Sequence, residues 1–173
     1  MRIKTAPLGS RPELAELEAQ IVAQRGRISP LYQTLLTSPP IAHGWEQMLT
    51  AVRKHSTVPA MARELIILRV AILNGAPYEY QSHLPLALQA GASQAAVDAV
   101  GQADGIGPGL DEATHVLIEL CDAMTRDVEV PDALYERVRA HYDDRQIVDA
   151  CATIGAYNMV SRFLIAMNIV GKH

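Results

Sequence analysis

The sequence predicts an all-α fold on three observations. Helix signals recur from end to end, and no stretch of alternating β-branched and polar residues is long enough to compete as a sheet. Apolar residues make up 49% of the 173 but aromatic residues only 5%, so Ala, Leu, Ile and Val carry the core, a composition that favours closely packed helices. Proline, glycine and short polar caps recur at helix-length intervals. A single domain over residues 1–173 is expected, and roughly two-thirds of the unfolded surface of such a chain can be buried. Disorder as the main state is excluded.

Ser10-Arg11-Pro12-Glu13 combines a capping hydroxyl, a first-turn proline and an acid three residues after the serine, which opens a helix to about Arg25, closed by Gly26. Ser38-Pro39-Pro40 starts a second helix, Ile41 to about Val52, with Ile41, Trp45, Met48 and Val52 as its buried stripe. From Ala60 to about Leu73 nearly the whole circumference is apolar, the pattern of a central helix. Asn74-Gly75 ends it and Pro77 opens the next helix, to about Gln89, so the two form a tight hairpin; Pro85 should bend the second one. Gly91 closes that helix and Ser93 caps a short one to about Val100. The glycine-rich stretch Gly101 to Gly109 has no preceding strand and no following Lys-Ser/Thr, so it reads as a linker and not as a phosphate cradle. Helices from Glu112 to about Thr125, from Pro131 to about Tyr142, and from Asp144 to Ile169 complete the chain, the first capped by Asp111.

Fifteen Lys+Arg against nineteen Asp+Glu leave a net charge of −4, and no basic cluster exceeds Arg53-Lys54. Nucleic acid is therefore not an expected partner. Cys121 and Cys151 have neither metal-type spacing nor a disulfide framework and read as buried thiols of a cytoplasmic protein. Met1-Arg2-Ile3-Lys4 carries no apolar stretch, and Leu65 to Leu73 is short and interrupted by Arg69, so neither a signal peptide nor a membrane span is expected.

The central hairpin carries the candidate chemistry. Glu64, Glu79 and His83 fall in or beside its most apolar segments, where a carboxylate without a task is costly. Glu79 and His83 stand four apart on one helix face, and the turn at Asn74-Gly75 brings Glu64 level with His83. A histidine between two carboxylates is a proton carrier, its pKa raised by charge and lowered by burial. The same residues also fit a set of mutually satisfied core groups, or, less well, a metal site with two carboxylates and one imidazole.

Arg63-Glu64-Leu65-Ile66-Ile67-Leu68-Arg69 followed by Asn74-Gly75-Ala76-Pro77-Tyr78-Glu79-Tyr80-Gln81-Ser82-His83 resembles the core motif of the carboxymuconolactone decarboxylase family, within the alkylhydroperoxidase D-like superfamily. The close match runs from Pro59 to Gly91, and looser similarity extends to Ser38-Pro39 and to Tyr157-Asn158 with Arg162. The resemblance implies an alkylhydroperoxidase D-like helical bundle that assembles as a trimer or hexamer, consistent with the apolar terminal run Phe163 to Met167. Peroxidase members are similar but carry Glu-x11-Cys-x2-Cys-x3-His. Here the glutamate and histidine are Glu64 and His83, while Ala76 and Glu79 occupy the cysteine positions. Neither alanine nor glutamate can attack a hydroperoxide and be recycled through a disulfide.

The resemblance therefore implies the decarboxylase branch: cofactor-free and metal-free decarboxylation or proton transfer on a small unsaturated lactone or cyclic acid. Glu64, Glu79 and His83 would be catalytic, with His83 the proton donor, Glu64 orienting it and Glu79 holding the carboxyl region or assisting. The acidic substrate would meet Tyr78, Arg69, Tyr157 and Arg162, with Arg63 a further candidate. A peroxidase-like antioxidant and a non-catalytic helical oligomer or binding protein are the alternatives.

Overall fold

The structure, a computed structural model, describes residues 1–169. Among these residues the chain forms nine α-helices and no strand: α1 (Ala15–Arg25), α2 (Pro30–Leu35), α3 (Pro39–Thr50), α4 (Ala60–Leu73), α5 (Pro77–Gln89), α6 (Gln94–Val100), α7 (Glu112–Asp122), α8 (Asp132–Arg139) and α9 (Asp144–Ala166). A 3-10 turn, Pro12–Leu14, precedes α1, and π-helical turns extend α3 (Ala51–His55) and α7 (Ala123–Asp127). No helix among them is long and apolar enough to cross a membrane.

Helix α4 is the axis of the bundle, packed against α5, α6, α7 and α9. Its run Leu65, Ile66, Ile67, Leu68 and Val70 is buried on every side, and the polar residues buried on the same helix, Glu64 and Arg69, each have a partner within the core. Each such apolar side chain stabilises the fold by roughly 1.5–3 kcal/mol. The hairpin closes as the sequence suggests: Gly75 takes φ +61°, a left-handed conformation, and Pro77 occupies the first turn of α5. Asn74 then ties the turn to α9, its side-chain amide donating to the Val70 carbonyl at 3.0 Å and to Asn158 Oδ1 at 2.9 Å. Ser93 and Asp111 cap α6 and α7 through the backbone amides of Ala96 and Thr114, and Asp143 with Gln146 forms a reciprocal capping box on α9.

Some details depart from expectation. Ser10 bonds the Pro7 carbonyl instead of capping, so α1 starts only at Ala15, after the 3-10 turn. In α3 the inward face is Ala42, Trp45, Glu46 and Leu49, while Ile41 and Met48 are 56% and 42% exposed. The stripe is rotated because a buried carboxylate, Glu46, finds partners inside, a preference that apolar periodicity does not register. Helix α2 carried no expectation although Ser29-Pro30 is the same start signal as Ser38-Pro39, and Ser29 does accept from the Tyr32 amide. Helices α8 and α9 end earlier than their apolar patterns, at Arg139 and Ala166, while α7 passes at Asp122 into the π-helical turn that reaches Asp127. Helix α5 passes through Pro85 without a break.

Arg69, fully buried in α4, is a structural clamp. Its Nε and Nη2 donate to the two carboxylate oxygens of Asp122 at 2.6 and 2.5 Å, and Nη1 donates to the carbonyls of Val100 (3.2 Å) and Gln102. One side chain thus joins α4, α7 and the start of the glycine-rich stretch. Removing only the acid would leave a buried guanidinium without its counter-charge, so Asp122→Ala is expected to lower unfolding free energy by roughly 3–5 kcal/mol in urea denaturation. A loss below 1 kcal/mol would show that the clamp is not fully desolvated.

Candidate active site

The α4–α5 hairpin brings Glu64, Glu79 and His83 together. All three are buried, and the two carboxylates engage opposite sides of the imidazole: Nδ1 lies 2.7 Å from Glu64 Oε2, and Nε2 lies 3.1 Å from Glu79 Oε1. The first contact joins the two helices, and the second is the four-residue spacing within α5. Burial pushes the His83 pKa down, but the hydrogen bonds and negative charges of Glu64 and Glu79 outweigh it, so the ring sits above its ordinary value of 6.5. In the protonated ring both nitrogens donate, one to each acid. Because the acids occupy different nitrogens, they do not converge on one point, and among the described residues no cluster of His, Cys, Asp and Glu is placed to hold a metal ion.

Tyr157 of α9 packs against the ring and reaches the same nitrogen as Glu79. Its hydroxyl is 3.3 Å from His83 Nε2, and its ring meets the imidazole edge-on at 5.1 Å between centroids. Burial, the largest influence, raises the Tyr157 pKa, which keeps the phenol protonated. The other expected substrate contacts do not join this group. Arg69 has its donors committed to Asp122 and two carbonyls, so its assignment as a substrate contact is corrected to a structural one. Arg162 is exposed on α9, and Tyr78 is half-buried at the start of α5, near Ser29 and Arg27, its pKa raised first by burial and then by Glu79.

A cavity of about 310 Å³ adjoins the cluster, lined by Gln24 and Arg25 of α1, Arg53 and Lys54 of the π-helical turn, Arg63 and Glu64 of α4, Leu86 of α5, and Ala90 just after it. Four of these side chains are cationic. Glu64 is the member of the cluster that reaches this cavity, whereas the His83 ring is not in its lining. Arg63 Nη2 stands 3.9 Å from Glu64 Oε1, and Arg63 Nε is buried with no hydrogen-bond partner among the described residues, a donor without an acceptor on the cavity wall. Arg25, Arg53 and Lys54 were not among the expected site residues. The Arg53-Lys54 pair was visible only as the densest basic spot in the chain, and nothing in the pattern around Arg25 distinguishes it from a surface residue.

The helical bundle has the alkylhydroperoxidase D-like fold, and its hairpin carries Ala76 and Glu79 and no cysteine. The chain belongs to the carboxymuconolactone decarboxylase family, whose pattern matches residues 39–120. It is 34% identical over 119 residues to the uncharacterized protein YdfG of Bacillus subtilis (strain 168), an overlap covering 66% of this chain and 78% of that one. Its fold is similar to that of an uncharacterized peroxidase-related protein from Ralstonia eutropha JMP134 described as an alkylhydroperoxidase AhpD core, with a TM-score of 0.81 at 16% identity over 99% of this chain and 92% of the other. The debrominase Bmp8 is also similar in fold, with a TM-score of 0.77 at 13% identity, covering 97% and 90% of the two chains.

The raised His83 pKa has a sign that can be checked. A group whose folded pKa exceeds its unfolded value contributes stability that is fully present below the unfolded value and is lost as pH rises through the folded one. Thermal unfolding midpoints of the wild type are therefore expected to fall as pH rises above about 6.5. Glu64→Gln is expected to flatten that fall. An identical pH dependence in the variant would mean that Glu64 does not charge the ring.

Proposed function

We propose that the protein is a cofactor-free carboxy-lyase that decarboxylates, and protonates at carbon, a small unsaturated lactone or cyclic acid. The observation that carries this reading is the position of Glu64, whose Oε2 bonds His83 while the residue lines a cavity walled by four cations. A substrate carboxylate is drawn by Arg53 and Lys54, and Arg63 Nε supplies an unpaired donor for a carboxyl or lactone oxygen. The carbon–carbon bond to the departing carboxylate breaks, carbon dioxide leaves, and the electron pair spreads into the conjugated carbonyl as a dienolate. Its negative charge falls beside the cationic wall, where fixed donors stabilise it. A proton then passes to carbon.

The geometry favours a division of labour in which Glu64 delivers that proton and His83 supplies it. The imidazolium Nδ1 is within one hydrogen bond of Glu64, and Glu79 and Tyr157 hold the other nitrogen so that the ring keeps its orientation as it loses and regains a proton. Each turnover consumes one proton, restored from solvent. Peroxidase chemistry receives no comparable support: both cysteines are free thiols, Cys121 fully buried and Cys151 half-buried, and burial raises the pKa of each, away from the reactive thiolate.

Incubation with 4-carboxymuconolactone, followed by carbon dioxide release, tests the reading. Glu64→Gln and His83→Ala are expected to lower kcat by about 10²–10⁴-fold. Arg53→Ala is expected to raise KM by about tenfold, the equivalent of ~1.4 kcal/mol of lost binding. Absence of turnover by the wild type, or unchanged rates in the Glu64 and His83 variants, would sink the assignment.

A further inference from the structure

The cavity has a feature behind its wall that the relay does not use. Glu46 of α3 is 1% exposed, on a face otherwise made of Ala42, Trp45 and Leu49. A carboxylate so placed is unfavourable unless its oxygens are satisfied and its charge is matched. Both conditions are met from one direction. Glu46 Oε2 accepts from the Tyr32 hydroxyl and from Arg25 Nε at 3.1 Å, and Oε1 accepts from the Thr50 hydroxyl at 2.8 Å. Thr50 Oγ1 in turn accepts from Arg25 Nη2 at 2.9 Å, while the guanidinium lies over the Tyr32 ring, 5.9 Å from its centroid. The Nε–Nη2 edge of Arg25 is thus gripped from behind, and Nη1 is the nitrogen outside this set of bonds. Arg25 itself lines the cavity that Glu64 enters.

We propose that Glu46 is a positioning residue of the anion cavity: with Tyr32 and Thr50 it locks the guanidinium of Arg25 so that its remaining edge meets a substrate carboxylate. The proposal rests on the reading of this cavity as the binding site of a small acid. An arginine at the end of α1, beside Gly26 with φ +78°, would otherwise lose its rotamer freedom only on binding, and capture would weaken accordingly. The clasp removes that freedom beforehand. It also neutralises Arg25, so that Arg25 supplies direction while Arg53 and Lys54 supply net charge.

Calorimetric titration of the full-length protein with maleate, a small unsaturated dicarboxylate, separates the two roles through a double-mutant cycle. Glu46→Gln and Arg25→Ala are each expected to weaken maleate binding by about tenfold, and the double variant is expected to bind no more weakly than Arg25→Ala alone, because Glu46 acts through Arg25. Thr50→Val, which keeps the Glu46 charge and removes one strand of the clasp, is expected to weaken binding by about threefold and guards against misfolding of Glu46→Gln. Losses that multiply to about a hundredfold in the double variant, or full affinity in Glu46→Gln or Thr50→Val, would overturn the positioning role while leaving the cavity reading intact. A wild type that does not bind maleate would overturn both.

Discussion

A single buried imidazole held between two carboxylates organises this protein. Ionised groups in an apolar core are expensive to desolvate, and the arrangement is stable only because each acid has the ring as its partner and the ring has an acid on each nitrogen. That requirement dictates the surrounding structure. The hairpin must be tight enough to bring α4 and α5 into register, which the left-handed Gly75 and the first-turn Pro77 achieve, and α9 must pack closely enough to put Tyr157 against the ring. The apolar circumference of α4 is the other half of the bargain, since it excludes the water that would screen the cluster.

The cavity extends the arrangement toward the surface: Glu64 bonds the buried ring through Oε2 and is also a residue of the cationic lining. The family to which the chain belongs and the folds it is similar to include proteins named for different activities, a decarboxylase, a peroxidase-related protein and a debrominase among them. In this chain the α4–α5 hairpin carries no cysteine. The positions that the peroxidase motif gives to cysteines hold Ala76 and Glu79 here, and Glu79 is one of the two acids on the ring.

Local patterns made much of the architecture legible. Asn74-Gly75-Ala76-Pro77 announces the hairpin, Ser93 and Asp111 announce helix starts, and the four-residue spacing of Glu79 and His83 places them on one face. The misread elements share a cause. Ile41 and Met48 fit an apolar period yet face solvent, because Glu46 turns α3 toward Arg25 and Tyr32, contacts that span up to 21 residues of sequence. Arg69 was expected to meet the acidic substrate and is instead matched by Asp122, 53 residues away.

The sequence by itself determined the helical class, the central helix, the hairpin and the identity of the Glu64–His83–Glu79 cluster, because each of these follows from spacings within one helix or across one tight turn. Only the tertiary structure decided which cations serve the cavity. Arg25, Arg53 and Arg63 come from three separate elements, and their convergence depends on how α1, the turn after α3 and α4 pack, which no local period encodes.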